Sequence, residues 1–439
     1  MVSRMRAAIE KLTTKYPTLR NITVLFSGAA GAQAVVMAVS VFTARIFSPE
    51  VFGQFAIYGS LTAIAVTVAS LRMDMTIMLP EDDDSARRIA KVATISNIVV
   101  GGLFSVVAVV GHEFITAYYG DEELASWLAM GGVTVFLVAQ VSVLQYWFNR
   151  RSDYPTIALN RLQQQIGSAG GQLTLGALGL RSVAGLIFGT LAGQAFAFFN
   201  LRRKSKELLA PIPEGTPSAA ELLSTYRRMP LLNLPTALVD SVRTNGITLL
   251  IGSVALGAVG QFNLAWRILQ VPVSLINSAV SQVFFQKLAR VKPGEMYPLV
   301  RITIIRGLLL SVVPFGLIYL LAPWMFTFVF GEQWDQAGGF ARALTPWLMF
   351  QLASSPVSTV FVVTETQHWM LIFSIVFCAV PLSLLYFSPL PLLTTVYWLG
   401  GVMAAMLALM LVMSLFAARR YDRRSRTLGG SDAPVPDAG

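Results

Sequence analysis

Long apolar runs separated by short polar stretches dominate the chain, and a helix needs about 20 mostly apolar residues to cross a bilayer. Twelve runs qualify, at residues 22–47, 53–79, 89–111, 124–148, 157–180, 183–201, 231–252, 258–285, 300–330, 337–362, 366–388 and 391–416. Lipid offers no partner to an unpaired backbone group, so each run is expected to be a helix. Strands of a membrane barrel would instead alternate over segments of about ten residues. The run beginning at Ile22 follows a mixed polar segment and lacks a convincing cleavage site, so it reads as a permanent span and not as a secretory leader. The fifth run is unusually polar and small, with Arg161, Gln163, Gln164, Gln165, Gly167, Gly170, Gly171 and Gln172. The longest polar stretch between runs holds Pro211, Pro213 and Pro217 and divides six runs from six. The expected organisation is a segment 1–21, an N-terminal lobe 22–201, a linker 202–230, a C-terminal lobe 231–416 and a basic tail 417–439, the tail expected to be disordered.

Composition removes the soluble alternative. Hydrophobic residues make up 55% of the 439 and charged residues 13%, and mean hydropathy is +0.63. A soluble domain carries about 25% charged residues. Cys378 is the one cysteine, which excludes a disulfide framework, and it is far in sequence from His112 and His368, so no metal or cofactor is expected. A net charge of +10 would suggest nucleic acid in a soluble protein. Here the basic residues sit in loops, where they set topology instead.

With twelve spans, 26 of the 33 basic residues fall on one side. They include Arg4 to Arg20, Arg87 to Lys91, Arg150 and Arg151, Arg202 to Lys206, Lys287 to Lys292, and Arg419 to Arg426. The other side has Arg45, Arg181, Arg342 and two acidic loops, at Asp121 and at Glu332 to Asp335. This bias places both termini in the cytoplasm. Glu81-Asp82-Asp83-Asp84 reads as a solvated turn whose acids favour the dipole of the next helix, in preference to a metal or phosphate site.

The halves share sequence. Phe52-Gly53-Gln54-Phe55 matches Val259-Gly260-Gln261-Phe262 at an offset of 207. Tyr119-Gly120-Asp121 matches Phe330-Gly331-Glu332, and Phe136 to Gln140 matches Trp347 to Gln351, both at an offset of 211. Three ordered matches at a nearly constant offset indicate duplication. Copies separated by six spans have the same orientation, which is one of the standard transporter plans.

Several loop sequences carry a further likeness. Leu71-Arg72-Met73-Asp74-Met75-Thr76-Ile77-Met78-Leu79-Pro80 with its acidic loop, Tyr226 to Pro230 through Pro235, Gly260-Gln261-Phe262, Arg267-Ile268-Leu269 with Pro272, and Ala44 to Gly53 together resemble bacterial polysaccharide flippases. The match spans nearly the whole chain in order. It resembles the Wzx-like branch (O-antigen and exopolysaccharide flippases) of the MATE-like multidrug/oligosaccharidyl-lipid/polysaccharide exporter superfamily. The resemblance implies an all-α integral membrane protein with two parallel-related six-helix lobes around a central cavity. It implies a cargo of undecaprenyl-pyrophosphate-linked oligosaccharide, turned from the cytoplasmic to the periplasmic leaflet of the inner membrane. The implied partners are that lipid-linked substrate, the bilayer, and the polymerase and glycosyltransferases of the same pathway, with no nucleic acid.

Charge inside a span is costly and often functional. At 1.5 Å per residue, Arg243 lies about 18 Å into the seventh run and Arg267 about 14 Å into the eighth. Arg72 and Asp74 are about 12 and 9 Å from Pro80 on the same measure. Arg267, Arg243, Arg72, Arg161, Gln165 and Gln172 are the candidates for pyrophosphate or sugar contact, with Asp240 and Asp74 as ion-coupling or Arg-orienting groups. Asp240, three residues before Arg243 on one helical face, could instead simply neutralise it. For the fifth run, glycine-mediated packing with amides bonded across helices competes evenly with cavity lining. Trp127, Trp147, Trp324, Trp334, Trp347, Trp369 and Trp398 lie near run ends and read as interfacial anchors. A cation-coupled drug or metabolite antiporter on the same fold is the rival function. It usually needs a carboxylate-rich site, and here arginines outnumber carboxylates in the membrane interior. No large catalytic loop, Walker motif or nucleophile–base set marks an enzyme.

Overall fold

The structure, a computed structural model, describes residues 37–227, 229–288, 291, 294–364 and 366–427. Every regular element among them is helical. The first span is described only as α1 (Met37–Ile46), and the rest of run 22–47 lies outside the described residues. The other eleven runs each have a long helix. These are α2 (Pro49–Ala69), α3 (Asp83–Val110), α4 (Gly131–Arg150), α5 (Tyr154–Ala177), α6 (Val183–Lys204) and α7 (Leu234–Val254). There follow α8 (Leu256–Leu288), α9 (Met296–Phe330), α10 (Asp335–Val357), α11 (Gln367–Phe387) and α12 (Leu392–Thr427).

Seven of these, α2, α3, α4, α6, α9, α11 and α12, are long and apolar enough to cross a membrane. The remaining four, α5, α7, α8 and α10, have 24, 21, 33 and 23 residues and so are long enough, but they carry more polar side chains. α3 and α9 show the lipid-facing chemistry most plainly. Val106, Val107 and Val110 on α3, and Leu309, Val313, Leu320 and Phe328 on α9, are all exposed. So much outward apolar surface requires hydrocarbon around it.

Local signals start the helices where they start. Ser48 caps α2 through the Val51 N–H, with Pro49 at the first helical position. Asp82 accepts from the Ser85 N–H at 2.6 Å to begin α3. That hydrogen bond holds its carboxyl below the usual range. Asp83 pairs with Arg150 and Asp84 with Arg87, so the acidic turn caps a helix and ties it to α4.

The chain divides into two units, one ending at Ser241 and the other beginning at Val242. The boundary falls inside α7 and not at the expected linker 202–230, because the linker is bound to the first unit. Arg87 donates to the Ala210 and Pro211 carbonyls at 2.6 and 2.8 Å. Glu207 pairs with Arg151 and accepts from the Trp147 indole, both at 2.9 Å. Leu222, on the short helix Ala219–Thr225, joins a core with Met73, Ile77, Ile89 and Trp147. In the second unit the core joins α8, α9, α10 and α12 through Phe284, Val300, Ile304, Val357 and Leu411.

Other expectations are corrected. Run 53–79 is not one helix: α2 stops at Ala69, and a four-residue helix Met73–Thr76 follows a left-handed break. Run 124–148 is split into a short helix Glu122–Leu128 and α4. α12 continues to Thr427, well into the expected tail, because its buried Asp422 accepts the Gly294, Met296 and Tyr297 N–H groups at 3.1, 3.2 and 2.9 Å. Trp147, Trp334 and Trp347 are buried core residues, whereas Trp324 and Trp398 are exposed as anchors should be. Trp347 packs on Trp266 with ring centroids 4.6 Å apart.

The duplication has a structural counterpart inside each unit. Gln54, opening α2, donates to Asp121 at 2.7 Å. Gln261, at the matching position of α8, donates to the Gln333 carbonyl at 2.6 Å and accepts from the Ala337 N–H at 3.0 Å. Each glutamine thus ties the second helix of its half to the loop between the third and fourth. That loop turns in both halves at a glycine with positive φ, 67° at Gly120 and 108° at Gly331.

Candidate functional site

Leu71 and Arg72 sit at φ 51° and 61°. Neither is glycine, so each costs about 1–2 kcal/mol in the left-handed region. Asp74 holds the break in place: it is buried and accepts from Ser70 Oγ and Ser142 Oγ, both at 2.9 Å. Further ties are Ser96 Oγ to the Ala69 carbonyl at 2.6 Å and Arg150 Nη1 to the Pro80 carbonyl at 2.5 Å. Strained backbone fixed by surrounding bonds is the pattern of functional sites.

The break presents Arg72. Its Nε is buried with no hydrogen-bond partner, and Nη1 meets only Met75 Sδ, at 4.0 Å. Tyr146 lies within electrostatic reach of Asp74, Arg72 and Arg161. Arg161 Nε donates to Gln145 Oε1 at 3.2 Å. Candidates from two separate parts of the sequence therefore converge: Arg72 and Asp74 from the break, and Arg161 from α5. Ser142, Gln145 and Tyr146 complete the group and were not anticipated. Their i, i+3, i+4 spacing, which puts three polar side chains on one face of a largely apolar α4, was the available signal.

The fifth span resolves into two faces. Gly167 and Gly171 approach Gly193 and Gly189 of α6 so closely that a Cβ on either would lie 3.1 and 2.9 Å from the opposing Cα. Gln164 bonds Gln194, Asn200 bonds Gln163, and Gln172 donates to Thr190 Oγ1 at 3.0 Å and the Leu186 carbonyl at 3.4 Å. Gln172 is thus a buried packing residue of the α5–α6 seam, which corrects its expected role as a substrate contact. Gln165 is exposed, four residues from the exposed Arg161 and on its face.

In the second unit Arg243 lies over the Phe377 ring, 4.7 Å from its centroid. Arg267, on α8 one residue after Trp266, which packs on the buried Trp347, has no hydrogen bond or ion pair among the described residues and is half-buried. Asp240 belongs to the first unit and is exposed. Neither it nor Arg243 is without a partner. Among the described residues, no group of three His, Cys, Asp or Glu is placed to hold a metal ion. What the site offers is guanidinium: the acceptors that Arg72 and Arg161 meet, Met75 Sδ and Gln145 Oε1, are neutral, and such forks bind phosphate in bidentate fashion.

A family model described as "Polysaccharide biosynthesis protein" matches residues 42–338. No curated protein sequence matches the chain significantly. Among solved structures, the chain is similar to the lipid II flippase MurJ in an inward closed conformation, at TM-score 0.67 and 14% identity, covering 93% of this chain and 94% of that one. It is also similar to an inward-facing MATE-family multidrug resistance transporter of the MOP superfamily, at TM-score 0.57 and 16% identity, covering 92% and 96%. A MOP superfamily transporter from Pyrococcus furiosus, described as having reversed polarity in its binding pocket, gives TM-score 0.53 and 16% identity over 92% and 96%. The chain belongs to the polysaccharide biosynthesis protein family and is a multi-pass helical membrane protein with the fold of MOP-superfamily transporters.

Proposed function

We propose that this protein flips undecaprenyl-pyrophosphate-linked oligosaccharide repeat units from the cytoplasmic to the periplasmic leaflet of the inner membrane, by alternating access. The observation that carries this reading is a set of membrane-embedded arginines without carboxylate partners among the described residues: Arg72, Arg161 and Arg267. Charge at that depth requires water, a counter-ion or an anionic ligand, and a pyrophosphate is such a ligand. Arg243 of the second unit, over the Phe377 ring, is a further candidate for anion contact, and Gln165 lies on the Arg161 face for sugar contact. The step breaks no covalent bond. In this reading both termini are cytoplasmic, and the pathway's glycosyltransferases and polymerase act before and after it. Membership of a polysaccharide biosynthesis family supports the sugar cargo.

A drug antiporter on the same fold would need a carboxylate open to a cation. Asp74 is buried with both oxygens taken by serines, which disfavours it for that task and leaves the exposed Asp240 as the carboxylate on which that reading would rest. Deletion followed by lipid analysis tests the proposal. Undecaprenyl-linked repeat units should accumulate on the cytoplasmic face, and an unchanged pool would reject it in favour of the antiporter.

A further inference from the structure

Beyond the last apolar residues of α12, the helix carries Arg419, Arg420, Arg423 and Arg424, all exposed, while Ala417, Ala418 and Asp422 are buried. The spacing i, i+1, i+4, i+5 puts the four guanidiniums on one stripe. Like charges four residues apart destabilise a helix, so this stretch should fray unless something holds it. Two features do. Asp422 caps the start of α9 through three backbone N–H groups. Arg419 donates to the Tyr297 hydroxyl at 2.8 Å and stacks over that ring at 4.4 Å. The fold thus spends a buried carboxylate on keeping a self-repelling stripe rigid.

The stripe lines a concavity of about 460 Å³ together with Trp369, at the start of α11, and Phe416, on α12. One part of its wall is aromatic and the rest is guanidinium. The change comes where the apolar run of α12 ends, which is headgroup depth. We propose that this concavity binds the phosphate headgroup of an anionic phospholipid from the leaflet that the loop charges assign to the cytoplasm. Trp369 and Phe416 line the glycerol and upper acyl region, and the arginines meet the phosphodiester. A topology signal needs only positive charge in a loop; it needs no rigid helix, buried cap or shared cleft. The inference does not depend on what the protein transports.

The test uses purified full-length protein and native mass spectrometry, with phosphatidylglycerol and phosphatidylcholine as probes. Wild type should retain phosphatidylglycerol preferentially, and the retention should fall as salt rises. Arg420→Gln with Arg424→Gln removes two charges that make no bond to Tyr297. At the contribution usual for a basic residue near an anionic surface, affinity should drop about thirtyfold. Arg420→Lys with Arg424→Lys should keep most of it. Should the glutamine variant fail to fold, the salt dependence and lipid preference of wild type still decide the matter. Equal retention of both lipids, salt-independent retention, or unchanged affinity in a folded glutamine variant would each overturn the proposal. Displacement of phosphatidylglycerol by soluble pyrophosphate would overturn it too, because the cleft would then belong to a free or cargo pyrophosphate.

Discussion

Asp74→Ala removes both hydroxyl bonds that pin the break after α2. Hydrogen bonds to a charged group contribute about 1.5–3 kcal/mol each, so about 3–6 kcal/mol together. The left-handed residues Leu71 and Arg72 cost about 2–4 kcal/mol as a pair. The support and the strain are of the same size. Without the carboxylate, the break loses its main tie and the segment relaxes toward the continuous helix that its composition favours, carrying Arg72 away from Arg161 and Tyr146. Glycan export in a deletion strain should fall at least tenfold, with membrane abundance reduced by less than half. Asp74→Asn separates positioning from ion coupling. An amide oxygen still accepts from one serine and the amide nitrogen can donate to the other, so the break survives and export should stay within a few-fold of wild type. If Asp74 instead carries a coupling cation or proton, the asparagine variant must be as inactive as alanine. That result, at normal abundance, would refute the positioning argument.

Arg267→Ala should abolish export at normal abundance, because no carboxylate among the described residues is stranded by its loss; Arg267→Lys should restore it only partly, since a point charge cannot reproduce the planar fork, and an alanine variant with full export would remove Arg267 from the site. Gly193→Ala places a Cβ 2.1 Å from Ser168 Oγ, so α5 and α6 must separate, at about 1–3 kcal/mol, and the melting temperature in detergent should fall. Gln261→Ala leaves the buried Ala337 N–H unpaired, worth about 1–3 kcal/mol, whereas Gln54→Ala leaves Asp121 still capping Leu124 at 2.6 Å; thermal melts should rank Gln261→Ala as the more harmful. Burial raises the Glu207 carboxyl, but the Trp147 indole and the Arg151 charge more than offset this and hold it below the usual carboxylate range. Its contribution to linker docking is therefore present above the unfolded carboxylate pKa and lost as pH falls through the lower folded value, and proteolysis of the linker should rise only in that acidic window.

Much of the architecture was legible because bilayers impose simple arithmetic. The apolar run lengths located eleven long helices, most of them within a few residues, with α2, α4 and α12 departing by seven to eleven at one end, and the acids after Pro80 marked the start of α3 by their own chemistry. The break at Leu71–Arg72 was not legible, since neither residue is a glycine or proline. It exists because Ser70, Asp74 and Ser142 meet in space, and Ser142 comes from another helix. The folded extent of α12 was hidden for the same reason: four arginines read locally as a solvated tail, and only the distant N–H groups of Gly294, Met296 and Tyr297 make Asp422 a cap. Tryptophans near run ends were ambiguous. An end can face lipid headgroups, as at Trp324, or a neighbouring helix, as at Trp347, and sequence position alone does not distinguish them.

The duplicated glutamines show where that ambiguity ends. Gln54 and Gln261 occupy matched positions and make the same kind of tie, from the second helix of a half to the loop before its fourth. The third matched pair diverges. Gln140 bonds both Thr94 and Asn97, while Gln351 has a buried Oε1 with no partner. A buried acceptor without a donor is expensive, and the first half has such acceptors too, in Gln54 Oε1 and Asn97 Oδ1, so the copies differ in which polar atoms are met and not in whether all are. Arginines differ between the halves as well: in the first, Arg72 meets Met75 Sδ and Arg161 meets the Gln145 amide, whereas in the second Arg243 faces the Phe377 ring and Arg267 follows the Trp266–Trp347 pair. Duplication would produce a symmetric pair of lobes, but the cargo proposed above, with pyrophosphate at one end and hydrocarbon at the other, would gain from an asymmetric one. Ties that set geometry can remain alike, and the residues that meet the ligand are where the copies have reason to differ.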